Sequence, residues 1–553
     1  MVQARRRVRA LLSRLEVGIG TRRGSAVVFA VALLVYGAQS IALPIVPGRD
    51  FGTYLRFYVQ MFEWDSVMPM SMLFRTPLAP LLVGGSLDLI GGYGTQALMA
   101  ALYATSIVCW TRTALVFGDR AALLTALALL LYPGYGILFH MLSSDSICAF
   151  AFALWALALA RAWLRPTPAR FAVLGLATAA AALTRPGYQV LALFGLAPLV
   201  FALPWRTRLA ATASCLGVTA LLLGAWTVNN GLRYDDYALA RGGGAFFPFY
   251  RAFTSDRIVS PENGSASREL ADAVAEDLLP KEPYRSYGIT LARFFGSGGP
   301  REFEDLVGIS DREWGWGSDY ALLRRAGVEA VRAHPVRYLR GVAGTVLDEL
   351  WSPQFVALPG QPSPPPEATG STRLARPDVV VVGQRELPRP SEGEQIPAAR
   401  QGFFSTTPDG SITEVWTSAT DHGLAFATPE AQRRFAEVDA ETNRLGALVP
   451  PYPGNRWLTL QFSRSSKLFP RPILWLLVGL VGIVWRKPRR GGLALAIAGA
   501  GVLVVGFQAL AVYSIIEFAT PVAPALVLAG AVGLVGARGA PSAAGVPPPE
   551  PSR

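Results

Sequence analysis

The sequence predicts a mainly α, polytopic membrane protein with about ten spanning helices, juxtamembrane helices, and an extracytoplasmic α/β or irregular domain. Three observations carry that expectation. The 553 residues are 51% hydrophobic and only 16% charged, with a mean hydropathy of +0.33. Apolar runs recur along the chain at lengths suited to a ~30 Å hydrocarbon core. The net charge of +12 is spread over short loops between those runs, which is the positive-inside pattern and not one nucleic-acid-binding patch.

The spans fall near 24–46, 94–111, 121–138, 144–162, 170–184, 187–203, 209–228, 470–485, 492–512 and 518–537. The first follows a basic arm over 1–23 that carries Arg5, Arg6, Arg7, Arg9, Arg14, Arg22 and Arg23. It is too long for a signal-peptide core and lacks a small-residue cleavage site, so it reads as an uncleaved anchor. The segment 77–91 is apolar but interrupted by Gly and Pro, and it contains Asp88. If it spanned, the basic clusters Arg161/Arg165/Arg170, Arg206/Arg208 and Arg486/Lys487/Arg489/Arg490 would lie opposite the N-terminal arm. Treated as a juxtamembrane helix, it leaves all of them cytoplasmic.

This topology divides the chain into a transmembrane core over 24–228 with its first outer loop at 47–93, an extracytoplasmic region over 229–469, C-terminal spans over 470–537, and a disordered tail over 538–553. Within the outer region 318–334 and 429–443 read as helices, and Val379–Val382 and Ser411–Trp416 as short strands. Arg337 to Trp351 reads as a helix along the membrane surface, and Pro362–Pro366 as a loop. Cys109, Cys148 and Cys215 all lie in apolar runs, so the outer region has no disulfide framework or thiolate metal site. The Ala, Gly and Arg richness points to a GC-rich bacterial genome.

Charged residues recur at the outer edges of the spans. Asp50, in Gly48-Arg49-Asp50 and followed by Tyr54 and Tyr58, suits a general base; as the first residue of a helix it also suits an N-cap. Arg75, opening Arg75-Thr76-Pro77, suits a lipid phosphate or simple snorkelling. Asp145 follows Tyr132-Pro133-Gly134-Tyr135, His140 and Ser143-Ser144, and reads equally as helix cap and as catalytic support. Arg185, in Leu183-Thr184-Arg185-Pro186, is costly at a membrane edge unless it snorkels or meets an anion. His140 reads as an interfacial residue, and His334 and His422 lie too far apart to pair as ligands by spacing. Trp226, in Trp226-Thr227-Val228-Asn229-Asn230, fits the aromatic belt. Walker A, G-x-S-x-G and Rossmann patterns are absent from the sequence, and Gly242-Gly243-Gly244 lacks the strand–helix context of a phosphate loop.

In their order and sidedness these pieces resemble the GT-C superfamily of polytopic glycosyltransferases that use polyprenyl-phosphate sugars. Its members include protein O-mannosyltransferases, aminoarabinose transferases, and Rgt-like and actinobacterial relatives. The matching elements are Asp50, Arg75 with Pro77, Asp145, Leu183–Pro186, Trp226–Asn230 and a late His334-Pro335-x-x-Tyr338-Leu339. The resemblance covers 24–240 well and the final helices loosely.

It implies an inverting transfer from a polyprenyl-phosphate sugar to an acceptor hydroxyl of a cell-envelope glycan, lipid or protein, outside the bacterial cytoplasmic membrane. Asp50 would be the base, supported by Asp145, with Arg75 and Arg185 on the donor phosphate. No nucleotide or cofactor is implied; metal dependence varies in the superfamily, and no essential ion is expected here because the sequence shows no acidic cluster. Asn229 stands where relatives often carry Arg, and Glu517-Phe518-Ala519 replaces an Arg-Tyr pair, so Arg233 or Arg241 would supply a further phosphate-binding cation. Alternatives are a polymerase or ligase of lipid-linked glycans, or a non-enzymatic transporter or flippase of lipid-linked sugars. A transporter would keep ionisable sites at mid-membrane, whereas here the charges sit at the edge.

Overall fold

The computed structural model describes residues 18–64, 66, 72–241, 246–352, 379–382, 385–388, 407, 409–416, 422–451, 455–512 and 518–536. The basic arm before residue 18, Gly242-Gly243-Gly244, Pro362–Pro366, Glu517 and the C-terminal tail lie outside them.

Helix α1 (Arg22–Ser40) is capped by Thr21, whose hydroxyl accepts from the Gly24 N–H. It ends earlier than the expected 24–46 span, and the chain continues to a two-residue strand, β1 (Val46–Pro47), before α2 (Phe51–Gln60). Helix α3 (Leu78–Ala114) is long and is broken at Gly91, whose φ of 69° and ψ of −179° suit only glycine. Straight, it would reach ~55 Å at 1.5 Å per residue, well beyond a hydrocarbon core. The break separates the segment expected to lie at the interface from the one expected to span.

The expected span 121–138 is instead two pieces, α4 (Asp119–Leu130) and α5 (Pro133–Leu138). Pro133 disfavours helical geometry at Tyr132, which sits at φ −94° and ψ 93°, so the helix stops and restarts. A second parallel strand, β2 (Met141–Leu142), pairs with β1 in the register Val46↔Met141 and Pro47↔Leu142. Then come α6 (Ser144–Leu164) and α7 (Pro168–Thr184). Next, Pro186–Val200 winds as a 3₁₀ helix of 15 residues where 187–203 reads as a span. At about 2.0 Å rise per residue it still reaches ~30 Å. Helix α8 (Trp205–Tyr234) runs past the expected end at 228.

The C-terminal apolar helices are Pro472–Arg486, Gly491–Ala511 and Ala523–Val535. Among the described residues six helices are long and apolar enough to cross a membrane. Pro168–Thr184, Pro186–Val200 and Ala523–Val535 are shorter apolar helices. Leu34, Leu221, Val481 and Val484 point their side chains outward at 63% exposure or more, as a lipid-facing surface requires. The chain is a multi-pass membrane protein.

The polar region is more helical than expected. Ala321–Ala333, Pro335–Trp351 and Pro429–Gly446 form where the sequence indicates helices. So do Phe249–Thr254, Ser265–Ala273, Pro300–Glu313 and Arg456–Leu468, which the sequence reading did not single out. Val379–Val382 and Ile412–Trp416 are strands, each in a two-stranded antiparallel hairpin. Phe249, Phe253, Phe294, Leu306 and Leu323 build a core separate from that of the membrane bundle, and Phe74 of the first loop packs into it.

Candidate functional site

The loops bearing Asp50 and Asp145 are tied together by the β1–β2 bridge. Val46 N–H donates to His140 O at 2.8 Å and Gly48 N–H to Leu142 O at 3.3 Å. Gly48 is needed there, since a Cβ would stand 2.8 Å from the Ser143 Cβ. Two residues on, Asp50 occupies the N-cap position of α2 in the left-handed conformation (φ 61°, ψ 12°), and its carboxylate makes no capping bond. The cap reading therefore fails. An N-cap side chain needs extended backbone to reach back to the N2 or N3 amide. The carboxylate instead meets Arg75, Oδ2 to Nη2 at 3.0 Å, with both side chains a quarter to a third exposed.

Asp145 does not cap either. The Ser143 hydroxyl takes that place by accepting from the Asp145 N–H. The freed carboxylate, almost fully buried, binds Arg185 Nη1 at 2.7 Å. Arg185 closes the C-terminal end of α7, donating its N–H to Ala181 O, and its Nη2 donates to Ser144 Oγ at 2.6 Å. Phe518, just before the last apolar helix, lies under two cations: the Arg185 guanidinium 4.6 Å and that of Arg49 5.1 Å from its ring centre. Tyr54, one turn beyond Asp50, is buried beside them.

Asp50, Arg75, Asp145 and Arg185 are thus brought into one cluster, to which the structure adds Arg49, Tyr54, Ser144 and Phe518. Burial alone would raise the Asp50 carboxyl, but Arg75, Arg49 and Arg185 together hold it below its ordinary value. Among the described residues, the guanidiniums of Arg49, Arg75 and Arg185 stand around the Asp50 carboxylate at a partly open edge.

Arg233, expected with this group, donates to Met61 O at 2.9 Å at the far end of α2 and lies over the Tyr234 ring. Arg241 is closed in by Asp236, Asp311 and the faces of Trp316 and Tyr320. Trp226, half-buried, packs on Phe57 with ring centres 6.2 Å apart. His140 is fully buried, not interfacial: it stacks on Tyr36 at 3.9 Å, and burial holds its imidazole down at about 3. Among the described residues no group of three or more His, Cys, Asp or Glu side chains is placed to hold a metal ion.

No family model matches this chain, and no curated protein matches it. Among solved structures it is similar to ArnT from Cupriavidus metallidurans bound to undecaprenyl phosphate. The identity is 15%, the TM-score 0.34, and the match covers 93% of this chain and 78% of that one. At that level the likeness bears on neither the fold nor the chemistry of the cluster.

Proposed function

We propose that the chain is a membrane glycosyltransferase of GT-C type, moving a sugar from a polyprenyl-phosphate donor to an acceptor hydroxyl at the outer face of a bacterial cytoplasmic membrane. The observation that carries this reading is the Asp50–Arg75 pair beside Arg49 and Arg185: a partly exposed carboxylate that the guanidiniums around it hold ionised. That arrangement matches a base next to a leaving phosphate.

In the inverting reaction the acceptor oxygen attacks the anomeric carbon as its proton passes to Asp50. The bond from that carbon to the phosphate oxygen breaks, and the electron pair leaves on the phosphate. Arg75 and Arg185 take up the developing charge. Arg75 also links binding to basicity. A donor phosphate that draws its guanidinium away from Asp50 removes the cation paired with that carboxyl and holding it down, so the base strengthens when the donor is in place. Asp145 orients Arg185.

Mass spectrometry of lipid co-purifying with the protein tests this reading. A polyprenyl phosphate or its glycoside is expected with the native chain and depleted in Arg75→Ala/Arg185→Ala. Ordinary phospholipid alone, unchanged by the substitutions, would overturn it.

A further inference from the structure

The helix Gly491–Ala511 ends where the polar region takes hold of it. Arg251, on Phe249–Thr254 and only 2% exposed, donates through Nη1 to Ala509 O at 2.8 Å, Val512 O at 3.0 Å and Thr345 Oγ1 at 3.0 Å. Its other edge is a fork on Asp256, Nε to Oδ2 at 3.0 Å and Nη2 to Oδ1 at 3.2 Å. Tyr338 Oη donates to the intervening carbonyl, Leu510 O, at 2.6 Å. Carbonyls at a helix C-terminus lack intrahelical partners and carry partial negative charge, so a guanidinium and a phenol are fitting caps. The helix Pro335–Trp351 comes close enough to do this because residue 341 is glycine; a Cβ there would collide with the Asp256 carboxylate.

Six residues after Val512 comes Phe518, 9% exposed, under Arg49 and Arg185. Immediately before the clamped carbonyls, Gln508 is packed against Gly187, two residues from Arg185. The capped helix end therefore lies between the polar region and both guanidiniums. We propose that Arg251, with Tyr338, is a positioning residue. It fixes the end of Gly491–Ala511 so that Phe518 stays seated on Arg49 and Arg185, and it makes the polar region and the cationic cluster one mechanical unit. The consequence for activity rests on the proposed function, while the seating of Phe518 does not.

The test uses Phe518→Cys in the full-length protein, where Cys109, Cys148 and Cys215 are all buried and add little background. Its alkylation rate is measured with and without Arg251→Met/Asp256→Leu, an apolar replacement of the whole ion pair that such sites commonly tolerate. Labelling at least tenfold faster in the combined variant is expected, with a smaller rise in Phe518→Cys/Tyr338→Phe, which loses one hydrogen bond. Tyr338→Phe carries the test alone if the double replacement does not fold. An unchanged rate in a folded variant overturns the proposal.

A second arm, without Phe518→Cys, measures undecaprenyl phosphate affinity. A fivefold or greater loss in Tyr338→Phe at an unchanged thermal midpoint supports positioning, whereas a shifted midpoint with unchanged affinity would reduce the clamp to a structural tie. If the native chain binds no undecaprenyl phosphate while the labelling rate still rises, the clamp stands and the glycosyltransferase reading falls.

Discussion

Two groups of arginine–aspartate pairs in this molecule, one in the polar region and one at the ends of the membrane helices, are finished differently. In the polar region Arg241 and Arg251 are each 2% exposed and enclosed by carboxylates, carbonyls and aromatic faces, and every nitrogen of the Arg251 guanidinium is hydrogen-bonded. At the ends of the membrane helices, Arg75 and Asp50 keep 26% and 30% of their side chains exposed. Buried ion pairs recover their desolvation cost only when every polar atom is served, so closed pairs read as structure. A pair left partly open to solvent is less closely tied to stability alone and fits the anion-binding role proposed for it.

The sharpest way to break this contrast is Asp50→Asn. Asparagine shares the tolerance of aspartate for left-handed backbone and keeps its shape, so the fold is expected to hold. It takes no proton at neutral pH, and loss of general-base assistance is expected to cost about 10²–10⁴ in transfer rate. Glycosyl transfer from a polyprenyl-phosphate sugar, measured beside thermal stability, checks this. Full activity would make Asp50 only a partner for Arg75 and move the search for the base to Asp145.

Next in size is the loss of one cation. Arg75→Ala and Arg185→Ala each remove charge-assisted bonds worth about 1.5–3 kcal/mol, or roughly 10- to 150-fold in affinity for a polyprenyl phosphate. The two differ in what they leave behind. Without Arg185 the buried Asp145 has no counter-ion, so that variant is also expected to melt earlier, whereas the more exposed Asp50 tolerates the loss of Arg75. Titration of the purified variants with undecaprenyl phosphate separates these effects. Unchanged affinity in both would leave the two arginines as interfacial residues.

The contrast also marks what was legible in the sequence. Long apolar runs set the membrane helices, because hydrophobic length is a local property. Pro133 was legible as a breaker, but a count of apolar residues ran across it and merged α4 with α5. Asp50, Arg75, Asp145 and Arg185 were visible as charges at membrane edges. Their pairing was not, since Arg185 meets Asp145 across 40 residues of chain and only packing of α6 against α7 brings them together. Arg49 and Phe518 were missed for the same reason: a ring under two cations leaves no local pattern. Arg233 and Arg241 looked equivalent to the site cations in sequence. Only Asp236, Asp311 and the aromatic faces around Arg241 separate a closed arginine from an open one.

The smallest expected effect is in the pH dependence of the closed centre. Burial pushes Asp311 up from 3.8 to about 6, although Arg241 and Tyr320 pull the other way. Between those two values the folded chain holds a proton that the unfolded chain has released, so stability from this group is greatest at the acid end and falls as pH climbs towards 6, then levels off. The open centre has the opposite sign: Asp50, held below its ordinary value, contributes stability that is lost only as pH falls through its folded value, beneath that window. Thermal midpoints of the native chain and Asp311→Asn, taken from pH 4 to 8, isolate the first slope. The native midpoint is expected to decline relative to the variant up to about pH 6 and run parallel above it. Parallel curves throughout would mean that Arg241 keeps Asp311 ionised, and that the closed and open carboxylates do not differ in charge.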